Sequence, residues 1–529
     1  MQRAYPAAIS AVFMAMLATY GTAQADPVRG GTLRFARNAD CEFLDPVLNN
    51  SNMDIWVSTN INNGLLLPTD DARHVRPGLA TSYAVSEGGK RMTLKLRPGI
   101  KFADGSPVTT DDVIWSLDRA SNQNNGEFAF LLASIDKVSA PAPDTIQIDL
   151  KHPDPTLPSA LATFNAAIMP HKLFEAASGK NDDEKAHSFA EHPVGAGPFV
   201  VTSWQRGSKM VLKRNPYYWE DGADGKKLPY VDEVDMTIVP DDATRILQLQ
   251  GGQVDVAEFI PYARVKELQS DPNLTMDLFP STKITYLQLN AKPKLNDGTP
   301  NPLSNQLVRQ ALNYAINKQA LIQITTHGLG TPMGSLIPST TPLYYSAGPA
   351  YPYDIAKAKA LLKQAGYASG FPINVMIQSG AADDTSNVSA IQQMWAQLGV
   401  KVSIQQHDAA TMDDLFHKFD YQIRTAYWTN DIADPSEITG YCAWYPQNES
   451  EYSGWDDKTI DQLFEQSETE QDPAKRATEY KELQTRYVDD APIFFMYETP
   501  FAAATRKQVK GFFQLPLGND VFDVAYIEK

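Results

Sequence analysis

The chain has 529 residues with 46 basic and 63 acidic side chains, which gives a formal net charge of −17 at pH 7. Such an acidic surface repels phosphate backbones, and no basic stripe interleaved with aromatic residues relieves the repulsion, so we expect no nucleic acid partner. The length is too great for one hydrophobic core and predicts two or three packed units.

The N-terminus has the pattern of an export signal. Arg3 gives a basic start, residues 7–17 are apolar and small, and Ala23-Gln24-Ala25 is a small-x-small cleavage site. We therefore predict a signal peptide over residues 1–25 and a mature chain that begins at Asp26. No later segment has about 18 apolar residues in a row, so we predict no transmembrane helix and a soluble periplasmic protein.

Cysteine and histidine usage limits the chemistry of the chain. Cys41 and Cys442 are the two cysteines of the mature sequence, and their spacing leaves open whether they pair in an oxidising compartment. The eight histidines are scattered, with no His-Glu-x-x-His and no Cys-x-x-Cys motif. The sequence therefore predicts neither a metal site nor a cofactor.

The first half of the chain alternates short strands with capped helices. Period-two alternation predicts strands at residues 32–36, 91–97 and 145–150, and Thr109 is a candidate N-cap for a helix that follows the turn at residues 103–106. Residues 65–202 read as a self-contained antiparallel unit with helices. A strand at 234–239 then precedes a helix whose acidic start at Asp241 suits the helix dipole.

In the second half, helix and strand alternate regularly. Candidate N-caps are Ser304, Asp354 and Asp472, and Gly366 and Gly399 are the candidate helix stops. Strands are predicted at residues 284–290, 373–377, 400–405, 421–427 and 492–497. This β-α-β succession predicts a second sheet that contains parallel pairs.

An ordered set of short motifs carries a resemblance to a known family. The motifs are Gly30-Gly31-Thr32-Leu33, residues 96–105 with 110–113, Gly195-Ala196-Gly197-Pro198-Phe199, Arg214-Asn215-Pro216-Tyr217-Tyr218-Trp219, and residues 251–255, 308–312, 358–366 and 472–476. In this order the chain resembles the family 5 extracellular solute-binding proteins of ABC importers, the group of dipeptide-, oligopeptide- and nickel-binding proteins. The resemblance runs from Gly30 to about Tyr497.

The resemblance implies an α/β, two-lobe periplasmic binding protein fold (type II, cluster C) with an extra subdomain. Lobe one would combine residues 26–64, 203–285 and 502–529, with residues 65–202 as its extra subdomain, and lobe two would span residues 286–501. The chain would cross between the lobes twice, near residues 284–290 and 497–501. Two short crossovers act as a hinge because few dihedral angles must change while both cores stay packed.

The sharpest site candidate follows the strand at residues 421–427. Trp428, Asp431 and Asp434 have the spacing of the stretch in peptide-binding members whose first aspartate pairs with the α-ammonium of the ligand, so the resemblance implies that role for Asp431. A carboxylate in a poorly hydrated cleft binds a cation better than one in water. The alternative is that Asp431 and Asp434 only shape a loop before Pro435.

Other candidates surround this segment. Arg424 has a guanidinium that can grip a ligand carboxylate, although a surface position is equally compatible with the pattern. The remaining candidates are an amide at Asn430, aromatic walls from Tyr427, Trp428, Tyr441 and Trp444, and a first loop with Asn49, Ser51, Asn52 and Asp54. Core packing and an ordinary polar loop are the alternatives for these.

The expected function is capture of a short peptide or an amino-acid-derived, opine-like conjugate by lobe closure. The expected partners are this ligand and an ABC permease with its ATPase, with the receptor itself a monomer. A secreted hydrolase and a glycan-binding or chaperone-like receptor are the alternatives. We expect no enzyme, because no Gly-x-Ser-x-Gly elbow and no recognisable Ser/His spacing occur.

Overall fold

The computed structural model describes residues 27–49, 51–124, 126 and 128–528, so the predicted signal peptide lies outside the described residues. Along the described chain, no helix combines the length and the apolar character needed to cross a membrane. The fold is mixed α/β, with a seven-stranded sheet, a six-stranded sheet and a separate four-stranded antiparallel sheet.

The four-stranded sheet has the order β4-β5-β7-β6 and lies in the segment between α1 and α5. The predicted cap of α2 is confirmed as a capping box, because the Thr109 hydroxyl accepts from the Asp112 amide while the Thr109 amide donates to the Asp112 carboxylate. The elements of this part are β1 (Thr32–Arg37), α1 (Asn52–Ile61), β2 (Leu66–Pro68), β3 (Val75–Pro77), β4 (Ala80–Ser86), β5 (Arg91–Leu96), α2 (Thr110–Ser121), β6 (Ile135–Ala142), β7 (Thr145–Leu150), α3 (Leu157–Ala160), α4 (His171–Glu175) and α5 (Asp182–Ala190).

The seven-stranded sheet has the order β12-β19-β11-β1-β10-β9-β8, so it joins the N-terminal strand, the middle of the chain and a late strand. Its central strand β1 pairs in parallel with β10 and β11. The elements after α5 are β8 (Phe199–Gln205), β9 (Lys209–Arg214), β10 (Glu233–Ile238), α6 (Asp242–Gln250), β11 (Val256–Ala257), α7 (Tyr262–Gln269) and β12 (Leu274–Phe279).

The six-stranded sheet has the order β14-β18-β13-β17-β15-β16. The predicted parallel pairs are confirmed at β15, which runs parallel to β16 and to β17. Its elements are β13 (Ile284–Leu289), α8 (Gln306–Tyr314), α9 (Lys318–Thr325), β14 (Thr331–Pro332), α10 (Ile355–Gln364), β15 (Pro372–Gln378), α11 (Ala382–Ala396), β16 (Lys401–His407), α12 (Ala409–His417), β17 (Ile423–Trp428), α13 (Ser436–Cys442), α14 (Tyr445–Tyr452), α15 (Lys458–Ser467), α16 (Pro473–Asp490) and β18 (Ile493–Glu498).

Two short segments join the two large sheets. Residues 280–283 lead from β12 to β13, and residues 499–500 lead from β18 to the strand that follows it. The Ser281 hydroxyl donates to the Thr499 carbonyl, and the Thr499 amide donates to the Lys283 carbonyl at 3.3 Å. The C-terminal elements are β19 (Phe501–Arg506), β20 (Val509–Lys510), β21 (Phe513–Gln514), β22 (Asp520–Val521) and β23 (Tyr526–Ile527).

The structure corrects the predicted N-cap of α8. Ser304 ends a single 3-10 turn at Pro302–Ser304, and its hydroxyl donates to the Asn301 carbonyl at 2.8 Å. Asn305 caps the helix instead, since its side-chain oxygen accepts from the Leu307 amide at 2.9 Å. Proline fixes the backbone of the preceding turn, which moves the helix start by one residue.

The two cysteines do not pair. Cys41 and Cys442 are both free and buried. Cys41 lies in the core cluster of the seven-stranded sheet, and Cys442 lies in a cluster beside the six-stranded sheet. Core packing therefore stabilises both lobes without a cross-link between these residues.

Candidate functional site

The segment from β17 to α13 runs between two cavities. Asp431 lines the larger one, with a volume of about 400 Å³, and Arg424 and Tyr427 line the smaller one, with a volume of about 250 Å³. These volumes bracket the low end of the range of small-molecule sites, which begins at about 300 Å³. The three predicted site residues that line a cavity thus divide between two cavities.

Asp431 closes one side of the larger cavity, which we call the Asp431 cavity. The other walls come from α1 and the residues after it, from the β2-β3 hairpin, from residues 162–167, from residues 198, 218, 220 and 228, and from the C-terminal segment 513–524. The cavity is therefore shared between the lobe of the six-stranded sheet and the rest of the molecule. Asp431 is the residue that the loop after β17 contributes to this cavity.

The lobes are in contact beside this cavity. The side-chain amide of Asn52, in α1, donates to the hydroxyl of Thr429, in the loop after β17, at 2.9 Å. Ile432 is only 2% exposed and belongs to the hydrophobic core of the four-stranded sheet, although it is part of the loop after β17. The structure is therefore a closed arrangement of the lobes.

A second carboxyl group holds Asp431. Glu437, in the first turn of α13, is fully buried and accepts hydrogen bonds from the backbone amides of Asp431 and Ile432 at 2.8 and 3.2 Å. The two carboxyl groups are near enough to affect each other's ionisation. Burial raises the pKa of Asp431 to about 7, and burial together with the neighbouring Asp431 raises the pKa of Glu437 well above its usual value. Burial and their mutual repulsion therefore oppose ionisation of both carboxyl groups at once.

Asp434 has a different role from Asp431. Both of its carboxylate oxygens accept from the guanidinium of Arg476 in α16, at 2.7 and 2.8 Å, and both side chains are 9% exposed. A bidentate buried pair of this kind fixes the loop against the helix. Asp434 is thus paired within the protein, and it does not line the Asp431 cavity.

The smaller cavity contains charges of both signs. The Arg424 guanidinium lies 3.8 Å from the centroid of the Phe416 ring, and its Nε has no hydrogen-bond partner among the described residues. Lys283 lies 5.3 Å from the centroid of the Tyr427 ring, and burial lowers the pKa of this lysine. The carboxylate of Asp384 accepts from the Thr425 hydroxyl at 2.5 Å.

The remaining predicted residues of lobe two line neither cavity. Trp428 donates to the Asn430 side chain at 2.9 Å, and its ring lies 5.2 Å from that of Tyr441. Asn430 is fully buried and bonds to the hydroxyls of Thr282 and Thr341, the first of which lies in a crossover segment. Trp444 packs on Phe464 and donates to Glu465.

The predicted first-loop residues mostly organise α1. The Ser51 hydroxyl accepts from the Met53 amide as the N-cap. Asp54 is buried and accepts from the Glu42 amide at 2.7 Å, and burial raises its pKa to about 6. Asn49 is buried. Of this group, Asn52 is the one that reaches the other lobe.

Sequence reasoning missed Glu437 and the C-terminal wall. Glu437 could have been predicted, because an acid in the first turn of a helix that starts after Asp434-Pro435 can accept hydrogen bonds from the amides of the preceding loop. The wall at residues 513–524 had no local signal, since its place depends on β19 returning to the first sheet.

Comparisons with known proteins agree with this architecture. The model of the "Bacterial extracellular solute-binding proteins, family 5 Middle" matches residues 74–448. The chain is 30% identical over 481 residues to the dipeptide-binding protein of Escherichia coli K12, with 86% of each chain covered. It is 31% identical over 486 residues to the glutathione-binding protein GsiB of Pectobacterium atrosepticum, covering 89% of this chain and 90% of the relative.

Among solved structures, the DppA periplasmic binding protein of Helicobacter pylori in complex with the peptide STSA superposes with a TM-score of 0.82 at 25% identity, covering 95% of this chain and 99% of that one. The chain therefore belongs to the family 5 bacterial extracellular solute-binding proteins, and it has their two-lobe fold. It is a substrate-binding component of an ABC importer, in a family that binds solutes for transport.

Proposed function

We propose that the protein captures a short peptide or an amino-acid-derived conjugate in the Asp431 cavity and pairs the ammonium group of the ligand with Asp431. The observation that carries the proposal is a single carboxylate from lobe two that faces a cavity walled by the rest of the molecule. Relatives named for binding a dipeptide, glutathione and the peptide STSA support this ligand class.

The chemistry of Asp431 favours a cation. Its carboxyl group ionises only at the cost of burial beside Glu437, and an ammonium group at hydrogen-bond distance offsets that cost. A neutral ligand leaves Asp431 either as an unpaired carboxylate or as a protonated carboxyl group. The cavity therefore selects ligands that bear an ammonium group. A ligand without one leaves the Asp431 carboxylate unpaired and binds more weakly for that reason.

Ligand binding and lobe closure are coupled in this proposal. A ligand held between Asp431 and the opposite walls adds contacts that exist only when Asn52 meets Thr429 and Ile432 enters the neighbouring core. The closed, monomeric receptor then docks on a membrane permease with its ATPase. We place the protein in the periplasm, and the periplasmic binding protein of Helicobacter pylori supports this location.

Native mass spectrometry of protein purified without denaturation, followed by calorimetry with Ala-Ala, tests the proposal. We expect a bound, unmodified ligand with a free amino group, and Ala-Ala binding that Asp431→Asn weakens strongly and Asp434→Asn does not. Turnover of the bound molecule would favour the hydrolase alternative, and recovery of an oligosaccharide would favour the glycan receptor.

The transport role has its own test. The permease and ATPase of the importer are reconstituted in liposomes with loaded or unloaded receptor. Loaded receptor should stimulate ATP hydrolysis and uptake, and the effect should weaken at high salt because the acidic surface contributes to docking. Equal rates with loaded and unloaded receptor would exclude that importer as the partner.

A further inference from the structure

The Asp431 cavity has more carboxylates than one ammonium group can satisfy. Its walls include four further acidic residues and one basic residue: Asp70, Glu220, Asp520 and Asp523, with Arg76 as the base. Asp431 comes from the other lobe and lies on a different element from all of them. The electrostatic balance of the cavity therefore depends on which of these acids already have a partner.

Arg76 is already engaged. Its Nη1 lies 2.6 Å from Glu220 Oε1, and the hydroxyl of Tyr218 donates to the other oxygen of Glu220 at 3.0 Å. Asp520 belongs to a separate buried network, in which Gln514 donates to its carboxylate at 2.9 Å. These two acids are therefore satisfied within the protein.

Asp523 is not satisfied in this way. It is 9% exposed, and its carboxylate accepts from the neighbouring Val524 amide at 2.9 Å, but it forms no ion pair with a basic side chain of the described residues. Burial raises its pKa to about 6, with Glu220 raising it further and Arg76 opposing the rise. Asp523 is therefore mostly ionised at neutral pH while it lacks a cation of its own.

A hydrogen-bonding group on another wall of the cavity lacks a partner. Thr163 lines the cavity and is 4% exposed, and its hydroxyl oxygen has no hydrogen-bond partner among the described residues. Buried polar atoms are normally satisfied, so an unpartnered hydroxyl on a residue that lines the cavity favours a ligand group with hydrogen-bond donors. Carboxylate and hydroxyl oxygens together suit a guanidinium or an ammonium group, because these offer several donors and no acceptor.

We propose that the Asp431 cavity contains a second cation subsite at Asp523, so that the preferred ligand has a cationic side chain in addition to its α-ammonium group. This inference rests on the proposed function, because it assumes a ligand held at Asp431. The class of ligand is a short basic peptide or an amino-acid conjugate with a lysine-like or arginine-like side chain. The single basic residue of the cavity, Arg76, is paired with Glu220, so acidic side chains outnumber basic ones on the cavity walls.

Calorimetry with four dipeptides that differ at the second position tests the subsite. Wild-type protein should bind Ala-Lys or Ala-Arg at least about tenfold more tightly than Ala-Gln, and Ala-Glu more weakly than Ala-Gln. Asp523→Asn should remove the preference for the basic peptide. The affinity for Ala-Gln should stay within about twofold of wild type, because the asparagine side-chain oxygen can still accept from the Val524 amide.

Asp70→Asn is the matched control, because Asp70 lines the same cavity with the same charge but is exposed. It should leave the preference for basic peptides within about threefold of wild type. Equal affinities of wild-type protein for Ala-Lys, Ala-Arg and Ala-Gln would overturn the subsite. This comparison uses wild-type protein alone, so it does not depend on whether a variant folds. Binding of Ala-Gln that depends on Asp431, without a basic preference, refutes this inference alone, whereas failure of all the dipeptides to bind refutes the proposed function.

Discussion

Replacing Asp431 by asparagine should stabilise the ligand-free protein and weaken ligand binding at the same time. In the folded protein burial raises the pKa of Asp431 from 3.8 to about 7, so the folded state binds this proton more tightly than the unfolded chain does. The carboxyl group therefore favours folding at low pH, and this contribution is lost as the pH rises from about 4 to about 7. Asparagine does not titrate and can still donate to Glu437.

The magnitude follows from the pKa shift. Between pH 5 and pH 8 the wild-type carboxyl passes through about two pH units in which only the unfolded chain is ionised, and each unit is worth 1.36 kcal/mol, or about 3 kcal/mol in total. The advantage of Asp431→Asn in free energy of unfolding should therefore be larger at pH 8 than at pH 5 by about this amount. Urea denaturation at the two pH values, followed by tryptophan fluorescence, measures the difference.

Binding should respond in the opposite direction. At pH 8 Asp431→Asn should weaken Ala-Ala binding by about 2–5 kcal/mol, the usual effect of removing one partner of a buried charge pair. In wild-type protein the affinity should fall as the pH drops below 7, because the ligand then competes with a proton, and the variant should show no such dependence. Asp70→Asn is a suitable control, since this exposed acid should leave both pH profiles unchanged.

Two results would refute this reasoning. One is a stability difference between Asp431→Asn and wild type that is the same at pH 5 and pH 8, because Asp431 would then not titrate in this range. The other is unchanged Ala-Ala affinity in the variant, which would place the ammonium group away from Asp431.

Three further substitutions separate folding from closure. Asp434→Asn should lower the free energy of unfolding by about 3–5 kcal/mol because it leaves Arg476 buried without its partner, and calorimetry on the folded variant should show little change in affinity. Asn52→Ala removes the hydrogen bond to Thr429 and should weaken binding by about 0.5–1.5 kcal/mol with unchanged urea stability; a larger loss of stability than of affinity would contradict a role in closure. Ile432→Ala removes a side chain buried in the core of the opposite part, so small-angle scattering should show a larger radius for the variant with ligand than for wild type with ligand.

The sequence predicted most elements because their signals are local. The alternation at β5 and the capping residues Thr109 and Asp354 depend on neighbours within a few positions, and the structure has the expected strand and helices there. The start of α8 was wrong by one residue, because the turn before it already used Ser304. Local patterns do not report such competition for the same backbone groups.

The site was predictable only in part, because cavities are assembled from distant segments. Asp431 and Arg424 lie seven positions apart, and the turn after β17 directs them to different cavities. The opposite wall with Asp523 comes from the end of the chain, which reaches the cavity because β18 and β19 belong to different sheets. Nothing in the residues around Asp523 indicates that position.

In the proposed function, the Asp431–Glu437 pair would both select a ligand and limit closure in its absence. Contacts such as Asn52 with Thr429 and the burial of Ile432 favour the closed lobes whether or not a ligand is present. Closing an empty cavity removes water from a carboxyl group whose ionised form is already disfavoured, so the unliganded protein must hold a proton on Asp431 or open. A ligand ammonium group cancels this cost only in the closed state. On this proposal, the difference between the two situations, and not the strength of the lobe contacts, makes closure depend on the ligand.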